Sequence, residues 1–273
     1  MNHEKRTFEF YVLAGFFLLF VLFLYGPLSA ILILSFQGPE GGLTFPLNGV
    51  SLHWFHNLFQ QQAVGDFGAS FKRSFVLGLM VMAVTVLVSL LAGLAFRQRF
   101  RGGTALFYLA VASLVVPSII ISLGIGVVFQ QSGLKPAWYS SAFGAHLTWT
   151  LPFGVLIMFA VFNRFSPAYE EAARDLGASA WQTFRHVVLP MIAPSLIGVG
   201  LFGFSLSYDE FARTLMTSGT YNTLPLEIYG MTTNVTTPVL YALGTVTTVF
   251  SFTIILAALG LIISLRRKQA KGV

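Results

Sequence analysis

The stretch Glu170-Glu171-Ala172-Ala173-Arg174-Asp175-Leu176-Gly177-Ala178-Ser179-Ala180-Trp181-Gln182-Thr183-Phe184-Arg185-His186-Val187-Val188-Leu189-Pro190 is a polar island between two long apolar runs. It predicts two short helices joined at Gly177. Glu170 and Glu171 fall near the start of the first, where negative charge complements the helix dipole. Gly177 permits a turn that a side chain would obstruct. Ser179 is suited to cap the second helix. Trp181, Phe184 and Val188 recur at three- and four-residue spacing and give that helix one apolar face. Pro190 opens the apolar run that follows. Ala172 and Ala173 leave a small surface on which another protein can approach closely. The whole connection, 163–190, is too long for a tight turn, and connections of this length tend to be functional.

Outward from this island the chain is apolar. Of its 273 residues 55% are hydrophobic and only 10% charged, with a mean hydropathy of +0.76. A soluble domain carries about 25% charged residues, so a soluble enzyme, a disordered tail and a coiled coil are excluded. Six runs are long enough to cross a bilayer, at 10–36, 74–96, 105–129, 141–162, 191–208 and 239–265. Helices are expected, because unpaired backbone groups are costly in lipid, and the alternating pattern of a membrane barrel is absent. The first run is far longer than the usual 7–15 apolar residues of a secretory signal, so it reads as a retained span. Pro117 is expected to kink the third span. Gly198, Gly200 and Gly203 are expected to let the fifth pack closely.

The basic residues set an orientation. Lys5, Arg6, Arg97, Arg99, Arg101, Arg164, Arg174, Arg185, Arg266, Arg267, Lys268 and Lys271 fall on one side of the six spans. Lys72, Arg73, Lys135 and Arg213 fall on the other. The positive-inside bias then places both termini in the cytoplasm. The island around Gly177 faces the same compartment. A helix–turn–helix DNA reader has a similar outline, but confinement between two spans argues against it, and no nucleic-acid partner is expected.

Several chemistries have no carrier here. There is no cysteine, which excludes disulfides and thiolate metal sites. His53 and His56 lack a neighbouring carboxylate cluster, so no metal site is expected. No Gly-x-x-x-x-Gly-Lys-Ser/Thr loop occurs, so any ATP hydrolysis belongs to another chain. Spans two to six hold almost no ionisable residue, which leaves no proton relay for a stand-alone secondary carrier, the alternative reading. No ring of charges or carbonyls marks an ion-channel filter.

The outer connections carry the remaining polar groups. Residues 51–62 read as a short amphipathic helix with Leu52, Trp54, Phe55, Leu58 and Phe59, whose aromatic residues suit a membrane interface. The connection 209–238, with Gly219, Pro225 and Pro238, predicts a broken structure rather than one helix. Asp209 and Glu210 end the fifth span after Ser205, Ser207 and Tyr208. They are either interfacial charges or groups facing a path, where Asp209 attracts an amine and the Tyr208 ring adds to that attraction. Arg213 either pairs with Asp209 along a helix or receives a carboxylate bidentately.

Glu171-Ala172-Ala173, Gly177 and Val187-Val188-Leu189-Pro190 resemble the EAA loop of the membrane subunits of binding-protein-dependent ABC importers, with valine at 187 where isoleucine is usual. The resemblance implies an all-α integral membrane protein with six transmembrane helices in the type I ABC importer permease fold, as a single transmembrane domain over 1–273. It implies that Glu171, Ala172, Ala173, Gly177, Leu189 and Pro190 couple the chain to an ATPase. The partners implied are a homologous second permease, an ATPase dimer that holds the ATP and Mg2+, and a periplasmic or secreted binding protein. The chain itself would carry no cofactor and would lie in the bacterial inner membrane.

Leu151-Pro152-Phe153, Asp209-Glu210 and Leu224-Pro225-Leu226-Glu227-Ile228-Tyr229 resemble, more narrowly, the polyamine-permease branch and the second of its two membrane subunits. That implies a substrate path including Asp209 and Trp54. Two departures stand out. Polyamine members tend to carry an acid after the proline of span three, where this chain has Ser118. They are usually uncharged where this chain has Arg213. Both shift the expected solute toward an amine that also bears a carboxylate, amino-acid-like or opine-like. The charge asymmetry makes a testable prediction. A reporter fused after Val273 should read as cytoplasmic, and an extracytoplasmic readout would reverse the topology.

Overall fold

The computed structural model describes residues 7–60, 65–98, 100–234 and 237–271. Lys5, Arg6 and Arg99, and the side chains of Arg266, Lys268 and Lys271, all counted in the charge asymmetry, lie outside the described residues. So do residues 61–62 of the expected amphipathic helix.

Helices α1 (Phe8–Leu34), α2 (His53–Leu58), α3 (Phe67–Phe96), α4 (Gly103–Ala112), α5 (Ser118–Gln131) and α6 (Phe143–Asn163) follow in order. They are succeeded by α7 (Ala168–Asp175), α8 (Ala180–Thr183), α9 (Leu189–Tyr208), α10 (Leu224–Asn234) and α11 (Val239–Lys271). Two π-helical turns, Trp138–Ala142 and Phe184–Val188, lead into α6 and α9. Among the described residues, five stretches are long and apolar enough to cross a membrane: Phe8–Leu34, Phe67–Phe96, Trp138–Asn163, Ala180–Tyr208 and Val239–Ser264.

The expected third span, 105–129, is not one helix. It is α4 and α5, separated at 113–117. Pro117 lacks an N–H and its ring excludes a helical turn before it. Its own backbone is extended, at φ −56° and ψ 131°, and it starts α5 instead of bending a continuous helix. Ser113 tightens the end of α4 by donating to Ala110 O at 2.7 Å. The expected kink is therefore a break. The second span also begins earlier than hydropathy indicates. Asp66 Oδ1 accepts the Ala69 N–H at 2.9 Å, and α3 starts at Phe67. Lys72 and Arg73 thus lie on the helix, and Arg73 Nε donates to Asn222 O at 2.6 Å.

The chain divides into two compact units, Met1–Gly65 with Gly230–Phe250, and Asp66–Tyr229 with Ser251–Val273. In the first, α1 buries only Leu34. The connection after it closes on Gln37, which is fully buried. Gln37 Oε1 accepts the Asn48 N–H at 2.7 Å, and Nε2 donates to Gly42 O at 3.2 Å. Gln37 also bridges to Val50 as an isolated antiparallel pair. Tyr241 donates its hydroxyl to Leu43 O.

The second unit is organised by α3, α6 and α9. The buried stripe of α3 is Ser70, Ser74, Leu77, Gly78, Val81, Thr85, Ser89 and Gly93. Small residues at this spacing let backbones approach where lipid gives helices no hydrophobic drive to associate. A Cβ on Gly154 of α6 would lie 2.1 Å from Ser89 Oγ and 3.0 Å from Thr85 Cγ2. Thr85 and Thr150 share a hydroxyl hydrogen bond of 2.8 Å. On α9, Gly200 meets Val86 and Met82, and Gly203 meets Thr85. Gly198, expected to help this packing, faces open space. Met158, Phe162, Val188, Ile192 and Val199 form the apolar core at the other end of the same helices.

This packing predicts a contrast. Gly154→Leu should destabilise the purified protein by about 1–3 kcal/mol through overpacking. Gly198→Leu should stay within about 0.5 kcal/mol, as for a surface change. Thermal unfolding in detergent measures both. Equal losses would mean that the α3–α6 approach is not tight.

Candidate functional site

Two polar constructions stand at the ends of the α3–α6–α9 frame. The first is the connection 164–188. Helix α7 buries none of its side chains. Its first turn carries Glu170 and Glu171 and its last turn Arg174, the arrangement that the helix dipole favours. The helix ends in a Schellman motif. Gly177 N–H donates to Arg174 O at 2.8 Å, and Ala178 N–H to Ala173 O at 3.0 Å. Gly177 sits at φ +85° with nothing near a would-be Cβ, so its backbone conformation, not crowding, requires glycine. Ser179 caps α8 in a reciprocal box: its Oγ accepts the Gln182 N–H, and Gln182 Oε1 accepts the Ser179 N–H.

Glu171, Ala172 and Gly177 are exposed and Ala173 half-buried, whereas Leu189 and Pro190 belong to the first turn of α9. The expected apolar face of the second helix is incomplete. Val188 is buried, but Trp181 is 65% exposed and stacks on Phe184 with centroids 5.7 Å apart. One ion pair fastens α7 to the frame. Arg97, just past the end of α3, places an Nη 2.7 Å from Glu170 Oε1. The Arg97 guanidinium also lies over the rings of Phe162 and Phe165, at 5.1 and 5.4 Å.

The second construction follows α9. Tyr208 is buried, its ring stacked on Phe204 with centroids 5.7 Å apart. Asp209 caps the helix and is exposed. Partial desolvation by neighbouring groups pushes its carboxyl above the usual 3.8. Glu210 turns inward and organises the next turn. Its Oε1 accepts the Arg213 N–H at 2.9 Å, and its carbonyl accepts Thr214 Oγ1 at 2.6 Å. Hydroxyls then pin the turn to three helices. Ser122 of α5 donates to Arg213 O at 2.9 Å and accepts the Met216 N–H at 3.0 Å. Ser141 donates to Thr217 O at 2.6 Å. His146 of α6 meets Ser207 Oγ at 2.8 Å through Nδ1 and Thr214 Oγ1 at 2.9 Å through Nε2.

Arg213 differs from its neighbours. It is completely buried, yet none of its guanidinium nitrogens has a hydrogen-bond partner. The guanidinium lies 4.7 Å from the centroid of the Trp149 ring. The pairing with Asp209 expected from their spacing does not form: among the described residues, the ion pairs are Arg97–Glu170 and Arg174–Glu170. The reason is local. Helix α9 stops at Tyr208, so the two residues do not share a helical face. A buried charge left unpaired typically costs about 3–5 kcal/mol.

Trp54 belongs to the first unit, where it is buried and its indole N–H donates to Gly38 O at 3.4 Å. Glu227 of the Leu224–Tyr229 motif ties α10 to the start of α3, accepting the Asp66 N–H at 2.8 Å. His146, Trp149 and Ser122 went unnoticed in the sequence. A lone histidine inside an otherwise uncharged span was the available sign for the first.

Residues 85–268 match the family described as "Binding-protein-dependent transport system inner membrane component". The chain belongs to this family. Its similarity to curated proteins extends over most of its length. The spermidine/putrescine transport system permease protein PotC of Haemophilus influenzae is 27% identical over 248 residues, 90% of this chain and 95% of the relative. The putrescine transport system permease protein PotI of Escherichia coli is 27% identical over 88% of this chain and 84% of its own. In three dimensions, a chain of a bacterial alginate ABC transporter, crystallised with an alginate pentasaccharide-bound periplasmic protein, matches with a TM-score of 0.67. It shares 17% identity over 92% of both chains. A chain of the inward-facing MetNI methionine ABC transporter matches with a TM-score of 0.54 over 73% of this chain and 94% of its own, at 16% identity. At such identities the likeness shows the fold, that of type I importer permeases. This inner membrane component is a multi-pass permease subunit of an ABC importer, which displaces the stand-alone carrier reading.

The Arg97–Glu170 contact can be weighed in isolation. Each of Arg97→Ala and Glu170→Ala should lower stability by about 1 kcal/mol, and the double variant by less than their sum, since the two share one interaction. Thermal unfolding of the four proteins completes the cycle. Strict additivity would mean that the pair contributes nothing.

Proposed function

We propose that this permease works as one half of a translocation path, with a homologous second permease, and imports a small amine-containing solute at the expense of ATP. The whole chain, 1–273, acts as one transmembrane domain in the bacterial inner membrane, with both termini cytoplasmic. A periplasmic or secreted binding protein delivers the solute to the outer connections. A separate ATPase dimer holds the ATP and Mg2+ and supplies the energy.

The observation that carries this reading is helix α7, which presents all its side chains unburied between two spans. An amphipathic element that its own chain holds at Glu170 and Ala173 but leaves otherwise exposed is suited to a partner's cleft. Glu171 would accept charge-assisted hydrogen bonds there, and Gly177 would give the exit turn. Ala172 and Ala173 would allow close approach, while Leu189 and Pro190 would pass the movement into α9. Arg97 and Glu170 would pass it into α3. The solute side of the reading rests on the relatives, which are spermidine/putrescine and putrescine permeases. It also rests on the exposed carboxylate of Asp209, with Tyr208, Glu210, Arg213 and Trp54 as the other path candidates.

Gly177→Trp should leave membrane insertion intact, remove co-purification of the ATPase and reduce uptake to background. Normal uptake in this variant would sink the coupling role. Asp209→Asn should lower uptake at least tenfold while the ATPase still co-purifies. Because the Asp209 pKa is raised from 3.8, its charge is lost as external pH falls through that raised value. Uptake should fall over the same window, and the Asn variant should lack that limb of the profile.

A further inference from the structure

The buried guanidinium of Arg213 makes no hydrogen bond and, among the described residues, no ion pair, the Glu210 carboxylate acting on it only at a distance, and the hydrogen-bond pattern narrows what it awaits. The side chains of Glu210, Thr214, Thr217 and His146 around it are each engaged. Glu210 spends Oε1 on the Arg213 N–H. Thr214 and Thr217 donate to the carbonyls of Glu210 and Arg213. His146 uses both ring nitrogens on hydroxyls. Arg213 differs from these four. Its backbone is held by hydrogen bonds from three residues while its five N–H donors go unused.

A guanidinium fork matches a carboxylate bidentately. The backbone beneath this fork is fixed by helix α5, whose Ser122 grips the Arg213 carbonyl. Trp149 lies over the guanidinium and is itself only half-buried. Its ring shields one side of the guanidinium.

We propose that Arg213 receives a carboxylate of the transported solute, and that this permease passes small zwitterions, an amine at Asp209 and a carboxylate at Arg213. The inference rests on the amine-solute reading above and adds the anionic half. Trp149 acts as the cover of the site: its ring holds the guanidinium when no solute is present and gives way when a carboxylate arrives. A polyamine, which has no anionic group, gains nothing from Arg213 and is repelled by it.

The test uses the complete transporter, with its second permease, ATPase and binding protein, in cells lacking other uptake routes. The probes are radiolabelled ornithine and putrescine, which differ only by the α-carboxylate. The binding protein is the same in every strain, so a changed ratio reads the permease alone. Arg213→Gln should lower the ornithine-to-putrescine uptake ratio at least tenfold. Arg213→Lys, which keeps the charge but not the fork, should lower ornithine uptake about threefold, and it serves as the readout if the Gln variant fails to reach the membrane by immunoblot. Asp209→Asn should lower uptake of both. An unchanged ornithine-to-putrescine ratio in the Arg213 variants overturns the proposal. So does wild-type import of putrescine without ornithine, or an acidic side chain of the second permease seated on Arg213 in the solute-free assembly. Import of neither probe overturns the amine reading beneath it as well.

Discussion

At Gly154 the backbone of α6 meets α3 with no room for a side chain. In a soluble protein such an approach would be one contact among many. In a bilayer it decides the assembly, because apolar side chains gain nothing by leaving lipid for one another. What remains is close packing and hydrogen bonding. The stripe Ser70, Ser74, Gly78, Thr85, Ser89 and Gly93 gives α3 both. Thr85 illustrates the economy: it bonds Thr150 of α6 and touches the Gly203 position of α9. Three helices therefore meet around one residue.

The frame gives the two polar constructions a common backing. Arg97 leaves the end of α3 and holds α7 through Glu170, over rings contributed by Phe162 and Phe165. Toward the opposite end, His146 of α6 and Ser207 of α9 are joined directly and hold the turn that carries Arg213. The same α6 and α9 run from one construction to the other.

Much of this was written in the chain at the level of composition and local chemistry. The apolar runs located the spans, and Glu170, Gly177 and Ser179 announced the caps and turn of the connection as they occur. These are properties of a few adjacent residues. The misreadings were tertiary or backbone effects. Hydropathy saw 105–129 as one run because it does not register the hydrogen bond that Pro117 cannot make. It missed the start of α3 because Asp66 begins that helix in polar sequence. The i,i+4 rule offered Asp209 as one of two partners for Arg213, across a point where the helix had already ended. Trp181 was assigned to an apolar face, yet it points away from the core that Val188 enters. Trp54 read as an interfacial ring, and its burial against Gly38 depends on a loop fold that no short window contains.

Helix α1 illustrates a different dependence on the surroundings. Its 27 residues bury only Leu34, so almost nothing in its own unit fixes its inclination. A helix of that length extends about 40 Å, some 10 Å more than a hydrocarbon layer of about 30 Å. A helix longer than its layer leans until its apolar length fits, unless neighbours hold it upright. The lean of α1 is then a reading of bilayer thickness, steeper among short acyl chains and shallower among long ones. The lipid composition of the host membrane becomes part of the geometry of this protein.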